Sequence, residues 1–272
     1  MTLGAKEHFE AGRLKEAIQA MTAEVKGHPT DANRRVFLAE LLCFAGNLER
    51  ADLQLDVLTE QDPKAAVGIA LFRQLVRADL ARRQFFTEGR MPELVGPVSP
   101  GLRLHLEASI RLRENDPAAA ARLLAEAEEQ RVPVSGTCDG QAFDDMRDLD
   151  DLTASFFEVL TSTGKYYWIP IDSVVSLEFR PPERARDLLW RRAHMVVADG
   201  PEGEVYLPAI YCAGGGAAEE ELEDRARLGR VTEWTGGEDA PVRGIGQRSF
   251  LVGDGSKAIM EISRIEFDRA AG

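Results

Sequence analysis

Apolar residues in the first half of the chain recur every three or four positions, whereas in the second half they come in short runs. Leu14, Ile18, Met21 and Val25 form one stripe, Phe37, Leu41, Phe44 and Ala45 a second, and Leu48, Ala51, Leu55 and Leu58 a third. That spacing places each set on one side of an α-helix. A fifth helix is expected from Lys64 to about Phe86, through Val67, Leu71, Leu75 and Ala78, and then a loop rich in glycine and proline over Gly89–Pro100. A helical hairpin of weaker pattern resumes with Leu102, Leu106 and Ile110, turns at Asn115-Asp116-Pro117, continues through Ala120, Leu123, Leu124 and Ala127, and ends at Pro133.

These stripes repeat. Gly12, Leu14, Ala17 and Pro29 return as Gly46, Leu48, Ala51 and Pro63, each 34 residues further on. This is the tetratricopeptide period. Every marker answers a physical need. Glycine ends the first helix of a hairpin in a left-handed turn, alanine lets the two helices cross closely, and proline stops the second helix. Ala120 follows Ala51 by 69 residues, twice the period plus one, which supports a third unit. An unrelated bundle would need four markers to coincide at a single offset.

From Val132 the texture changes. Ser135–Asp151 carries six aspartates and few apolar residues, so residues 136–148 are expected to be an acidic linker. A helix is expected over Leu149–Leu160, with Leu152, Phe156, Val159 and Leu160 on one side. Beyond Gly164 the runs read as strands: Tyr166–Ile169, Val174–Phe179, Arg192–Ala198, Glu204–Ile210, Arg230–Trp234, Ser249–Val252 and Ala258–Phe267. Asp199–Gly203 and Gly253-Asp254-Gly255 have the chemistry of hairpin turns. Pro182–Leu189 reads as a short helix and Glu219–Arg227 as a charged helix or loop. The predicted fold is α+β: tetratricopeptide-like helical hairpins over residues 1–135, then a mostly antiparallel β domain with short helices over residues 149–272.

Charge narrows the function. A formal net charge of −13 and a pI near 4.9 repel phosphate backbones and anionic lipid, so neither nucleic acid nor membrane is an expected partner. Met1–His8 carries charges where a secretory leader would need an apolar run, and three dispersed cysteines, Cys43, Cys138 and Cys212, point to reduced thiols. A cytoplasmic location is expected.

Candidate chemistry is thin. The Asp139–Asp151 carboxylates suit a hard cation, but their spacing fits no calcium loop, and a solvated linker is the plainer reading. Gly214-Gly215-Gly216 and Gly253–Lys257 lack the spacing of a phosphate-binding loop, and Gly244-Ile245-Gly246 stops short of a dinucleotide fingerprint. His8, His28, His105 and His194 form no metal-binding pair, and Cys43 lies on an apolar stripe. Arg180, Arg184, Arg186, Arg191 and Arg192 form a local basic patch, expected to pair with carboxylates. No catalytic constellation and no cofactor or metal site is predicted.

Longer blocks carry a resemblance. Tyr166-Tyr167-Trp168-Ile169-Pro170 leads into Val175–Pro182, Arg186–Arg191, Asp199–Ala209 and Val242–Gly253. In this order they resemble the ImpE/TagJ family, accessory proteins of bacterial type VI secretion systems, over nearly the whole chain. The resemblance implies a non-enzymatic adaptor. Its implied partners are the N-terminal helix of the small sheath subunit, TssB, and the AAA+ ATPase of ClpV type that dismantles the sheath. Stacked hairpins would accept that helix in a groove. The first two hairpins, residues 1–63, are the expected groove, with Lys6, Glu10, Arg34 and Leu38 on first helices as candidate contacts. Two other readings stay open. One is a metal-dependent hydrolase using the aspartate cluster. The other is a general tetratricopeptide co-chaperone, which would need a basic groove richer than Arg34 and Arg35.

Overall fold

The computed structural model describes residues 3–61, 65–213 and 222–268. The first half forms three helical hairpins and one long helix. The hairpins are α1 (Ala5–Glu10) with α2 (Leu14–Gly27), α3 (Ala32–Phe44) with α4 (Leu48–Gln61), and α6 (Pro100–Arg113) with α7 (Pro117–Gln130). The long helix α5 (Ala66–Glu88) lies between the second and third.

The repeat markers do what their spacing requires. Gly12 and Gly46 turn at φ 77° and 75°, and in the third hairpin Asn115 takes their place at φ 57°. Asparagine tolerates that left-handed backbone better than most side chains, which explains the missing glycine. Five residues after each turn stand Ala17, Ala51 and Ala120, all fully buried at the helix crossing. Asp31, Ser99 and Asp116 cap α3, α6 and α7 by accepting from the amides of Arg34, Leu102 and Ala119 at 3.1, 3.2 and 3.0 Å. Helix α2 stops just before Pro29, whereas Pro63 lies outside the described residues.

The second half is built on a nine-stranded sheet. Its strands in chain order are β1 (Glu93–Leu94), β2 (Gly136–Cys138), β3 (Gln141–Phe143), β5 (Phe156–Leu160), β6 (Tyr166–Pro170), β7 (Val174–Phe179), β8 (Trp190–Val197), β9 (Glu202–Pro208) and β14 (Arg264–Phe267). In space they run β1-β6-β5-β9-β8-β7-β14-β2-β3, and every pairing except β1 with β6 is antiparallel. Strand β4 (Met146–Asp148) joins β12 (Ser249–Val252) and β13 (Gly255–Ala258) in a small sheet, and β10 (Thr232–Gly237) with β11 (Ala240–Gly246) forms a two-stranded ribbon.

Alternation along the central strands divides two cores. Phe156 and Leu160 of β5, Tyr166 and Trp168 of β6, Trp190 of β8 and Tyr206 of β9 join the helices. Phe157, Val159, Ile169, Met195 and Leu207 face the other side. The helical core and the sheet are therefore continuous. Phe85 of α5 meets the Trp168 ring edge-on at 4.7 Å, and Phe72 meets Trp190 at 5.9 Å.

Several expectations need correcting. Residues 136–148 are not a linker but strands β2, β3 and β4 with their turns, where Asp139, Asp145 and Asp148 are held by arginines or backbone amides. The helix expected over Leu149–Leu160 is a 3-10 turn at Asp151–Thr153 followed by β5. All five residues of β5 are buried, so both faces are apolar or paired and its pattern mimics a helical stripe. The run Ala258–Phe267 splits into a 3-10 turn at Ile259–Glu261 and β14. The Pro182–Leu189 helix is a 3-10 turn at Ala185–Leu188. Of Glu219–Arg227 the described part holds one helical turn, α8 (Asp224–Arg227), while Gly214-Gly215-Gly216 lies outside the described residues. Among the described residues no helix is long and apolar enough to cross a membrane.

Candidate functional site

First helices line the inner face of a tetratricopeptide array. Here the sheet takes most of that face. Helix α5 packs on β5 and β6, and α3 packs on the Ala185–Leu188 turn. What stays open is a cleft of about 410 Å³ at the amino-terminal end, between α1, α3 and residues 182–188. Phe9 and Phe37, edge-on at 5.8 Å, form one wall, with Ala185 and Leu188 in the other. Lys6, Glu10, Glu183 and Arg184 stand at the rim, and Glu40 lies among the lining residues.

Both walls are braced. The amides of Glu183 and Arg184 donate to Asp187 at 2.9 Å each and fix the turn. Arg186 lies buried with its guanidinium 4.6 Å from the centre of the Phe72 ring. On the other side α8 and the residues after it clamp the helix ends. Arg230 donates to the carbonyls of Phe9 and Glu10 at 2.6 and 2.7 Å, and Arg227 donates to the carbonyl of Ala45 at 3.2 Å. Asp224 accepts from the amide of Lys15 at 3.1 Å. These are the terminal groups that a helix cannot satisfy by itself. The carboxy-terminal half supplies the caps.

The predicted contacts separate. Lys6 and Glu10 reach the cleft rim, exposed and ion-paired to each other at 3.8 Å. Arg34 is engaged elsewhere, with Asp31 at 2.6 Å and Glu24 at 3.4 Å. Leu38 is corrected outright: at 3% exposure it belongs to the core, because α3 is covered on that side. Replacing it with Asp would report stability rather than binding. Sequence reasoning missed Phe9, Glu40 and the 182–188 turn. One signal was available, since Glu40 is the lone charge in the otherwise apolar run from Val36 to Ala45.

The aspartate-rich segment is an anchoring device. Asp145 holds Arg131 at 2.7 Å, Asp150 holds Arg243 at 2.9 Å, and Asp151 holds Arg147 at 2.8 Å. Asp139 accepts from the amides of Ser263 and Arg264 at 2.9 and 2.8 Å. Asp148 accepts from Arg248 and, at 2.7 Å, from the Tyr211 hydroxyl. Among the described residues no three His, Cys, Asp or Glu side chains converge as a metal would require. Glu158 of β5 is a further deeply buried charge, 2% exposed. Arg82 donates to both its oxygens at 2.9 Å, with Tyr166 and Arg248 completing the shell. Burial opposes its ionisation, yet the two guanidiniums hold its carboxyl at about 2.

One pair has a catalytic outline. The Ser155 hydroxyl stands 2.9 Å from Nε2 of His105, whose Nδ1 lies 3.0 Å from the carbonyl of Leu152. Burial pushes that imidazole down to about 4, which leaves it a weak base, and a neutral carbonyl stands where a triad carboxylate belongs. The pair closes the seam between α6 and the Asp151–Thr153 turn. The arginine patch also resolves into partners: Arg180 and Arg192 pair with Glu204, and Arg191 lies over the Phe179 ring.

Comparison with known proteins places this architecture. The family model described as ImpE protein matches residues 140–266, and a tetratricopeptide repeat model matches residues 8–75. The chain is 31% identical over 264 residues to the type VI secretion system accessory component TagJ of Pseudomonas aeruginosa, covering 97% of this chain and 91% of that protein. The crystal structure of protein VPA1032 from Vibrio parahaemolyticus superposes with a TM-score of 0.90 at 26% identity, over 98% of both chains.

Proposed function

Because the chain belongs to the ImpE family, we propose that it is a non-enzymatic adaptor of a type VI secretion system, working in the cytosol. In this reading it binds the N-terminal helix of the small sheath subunit, TssB, and links the sheath to a ClpV-type ATPase. The observation that carries it is the cleft between the first two hairpins and the 182–188 turn. Its walls are aromatic and aliphatic and its rim is charged, which suits a helix with one apolar stripe. The name of the Pseudomonas relative supports the secretion setting. The aspartates that a hydrolase would need are engaged by arginines and backbone amides, so the geometry favours an adaptor over that reading.

Fluorescence anisotropy tests it with a labelled peptide of that helix from the same secretion system, against a scrambled helix of equal composition. The cognate peptide should bind more tightly. Leu188→Asp, which puts a carboxylate into the apolar wall, should weaken it at least tenfold while the melting curve shows the fold intact. Equal affinity for the two peptides would remove the helix-in-cleft mechanism.

A further inference from the structure

Glu40 is a charge in an unusual place. It interrupts an apolar run, is only 5% exposed, and lines the cleft beside Phe37, one helical turn before it on α3. Its Oε1 atom is buried without a hydrogen-bond donor. Arg186 offers it only a long ion pair at 3.9 Å, beyond hydrogen-bond distance, with its guanidinium on the Phe72 ring, while the Arg186 backbone bonds the carboxylate. A buried carboxylate with one long ion pair and no side-chain donor is poorly compensated, so it keeps capacity for a further donor on the cleft side.

We propose that this capacity is filled by the docking partner: one lysine or arginine, set among the apolar residues of its bound helix, reaches down the cleft and pairs with Glu40. The proposal rests on the helix-docking reading above. A long basic side chain fits because its aliphatic stem can lie along Phe9, Phe37 and Leu188 while its charged end meets the carboxylate. An acidic or purely apolar side chain would supply no such donor. A metal ion is disfavoured, since it would need several oxygen ligands and the cleft floor offers this carboxylate.

The electrostatics agree. Burial, opposed by Arg186, raises the Glu40 carboxyl to about 7, so near neutrality the free protein holds a proton there part of the time. The charged groups around it are Arg184, Arg186 and Asp187 from the turn, Glu183, Lys6 and Glu10 at the rim, and Asp79 and Arg83 of α5 behind Cys43. A cation arriving beside Glu40 favours its ionised form and expels the proton. Affinity should therefore rise with pH up to the free value and flatten above it, by about tenfold between pH 6 and pH 8.

The experiment titrates the full chain with the labelled TssB-helix peptide at pH 6 and pH 8. It uses the parent, Glu40→Gln, and a set of peptides in which each lysine or arginine is changed singly to Met. In the parent, one peptide substitution should cost at least tenfold at pH 8 and abolish the pH dependence. In Glu40→Gln, that same substitution should cost little, because its partner is already neutral. Glu40→Gln keeps the side-chain volume, and its melting curve reports whether the fold is retained. Binding of the parent and Glu40→Gln with equal affinity at both pH values, or with every basic peptide residue dispensable, overturns the proposal and leaves docking standing. A peptide that fails to bind the parent at either pH overturns both.

Discussion

Glu158→Gln probes the joint between repeats and sheet. The glutamate comes from β5, Arg82 from α5 and Arg248 from the approach to β12, all with nearly inaccessible side chains. Replacing the carboxylate by an amide removes one negative charge and leaves Arg82 leaning on Asp79 at 3.6 Å and Arg248 on Asp148. Stranding buried charge in this way costs about 3–5 kcal/mol. A second route gives a similar figure. A carboxyl held at about 2 instead of 4.5 corresponds to about 3 kcal/mol of differential stability. For a chain of this size the melting temperature should fall by roughly 6–15 °C. Denaturant unfolding followed by far-UV circular dichroism and tryptophan fluorescence is the assay, since Trp168 stacks on Phe156 at 3.9 Å within the shared core. Both probes should move together. Because the folded value lies below the unfolded one, the stabilisation is present above about pH 4.5 and fades as pH falls toward 2. The gap between parent and variant should narrow over that window. A loss below about 1 kcal/mol at pH 7, or separate transitions for helices and sheet in the parent, would refute the reasoning.

Three further outcomes follow from the packing. Ala17→Phe and Ala51→Phe should each destabilise by about 1–3 kcal/mol in thermal melts, since both alanines are fully buried at a helix crossing. Asp145→Asn should cost about 1–2 kcal/mol in urea unfolding, because the carboxylate holds the Arg131 guanidinium by two bonds and accepts from the amides of Val134 and Met146; a neutral result would return this segment to the status of a linker. Arg230→Ala should strip the Glu10 carbonyl of this donor, leave the Phe9 carbonyl with the Gly12 amide alone, and speed amide hydrogen exchange in α1 at least several-fold, while the α6–α7 hairpin keeps its rate.

The repeats were legible because their markers answer single-residue demands. A left-handed turn selects Gly12, Gly46 or Asn115, and a close crossing selects Ala17, Ala51 or Ala120. Strands β7 and β12 were legible as apolar runs between turns. The segment 136–160 was not, since composition cannot distinguish an aspartate in water from one against an arginine distant in sequence, such as Asp148 with Arg248. Nor can periodicity assign β5, buried on both faces. The cleft was half legible. Lys6 and Glu10 lie on α1 at the cleft rim, but the opposite wall comes from residues 182–188, and nothing local to α3 announces that Leu38 will be covered. Glu40 was the exception, a solitary acid in an apolar run.

Solenoids of helical hairpins ordinarily gain or lose whole units by duplication, because each unit touches only its neighbours. This array lacks that freedom. The inner surface of α3 and α5 is matched to a turn and two strands, and the ends of α1 and α3 are clamped by Arg230 and Arg227 from the other half of the chain. Inserting another 34-residue unit would slide Phe72 and Phe85 away from Trp190 and Trp168 and carry α1 beyond the reach of Arg230. The sheet thus acts as a template of fixed length. Evolution can retune side chains at the open end, but a unit inserted between α1 and α5 would break the match to the sheet.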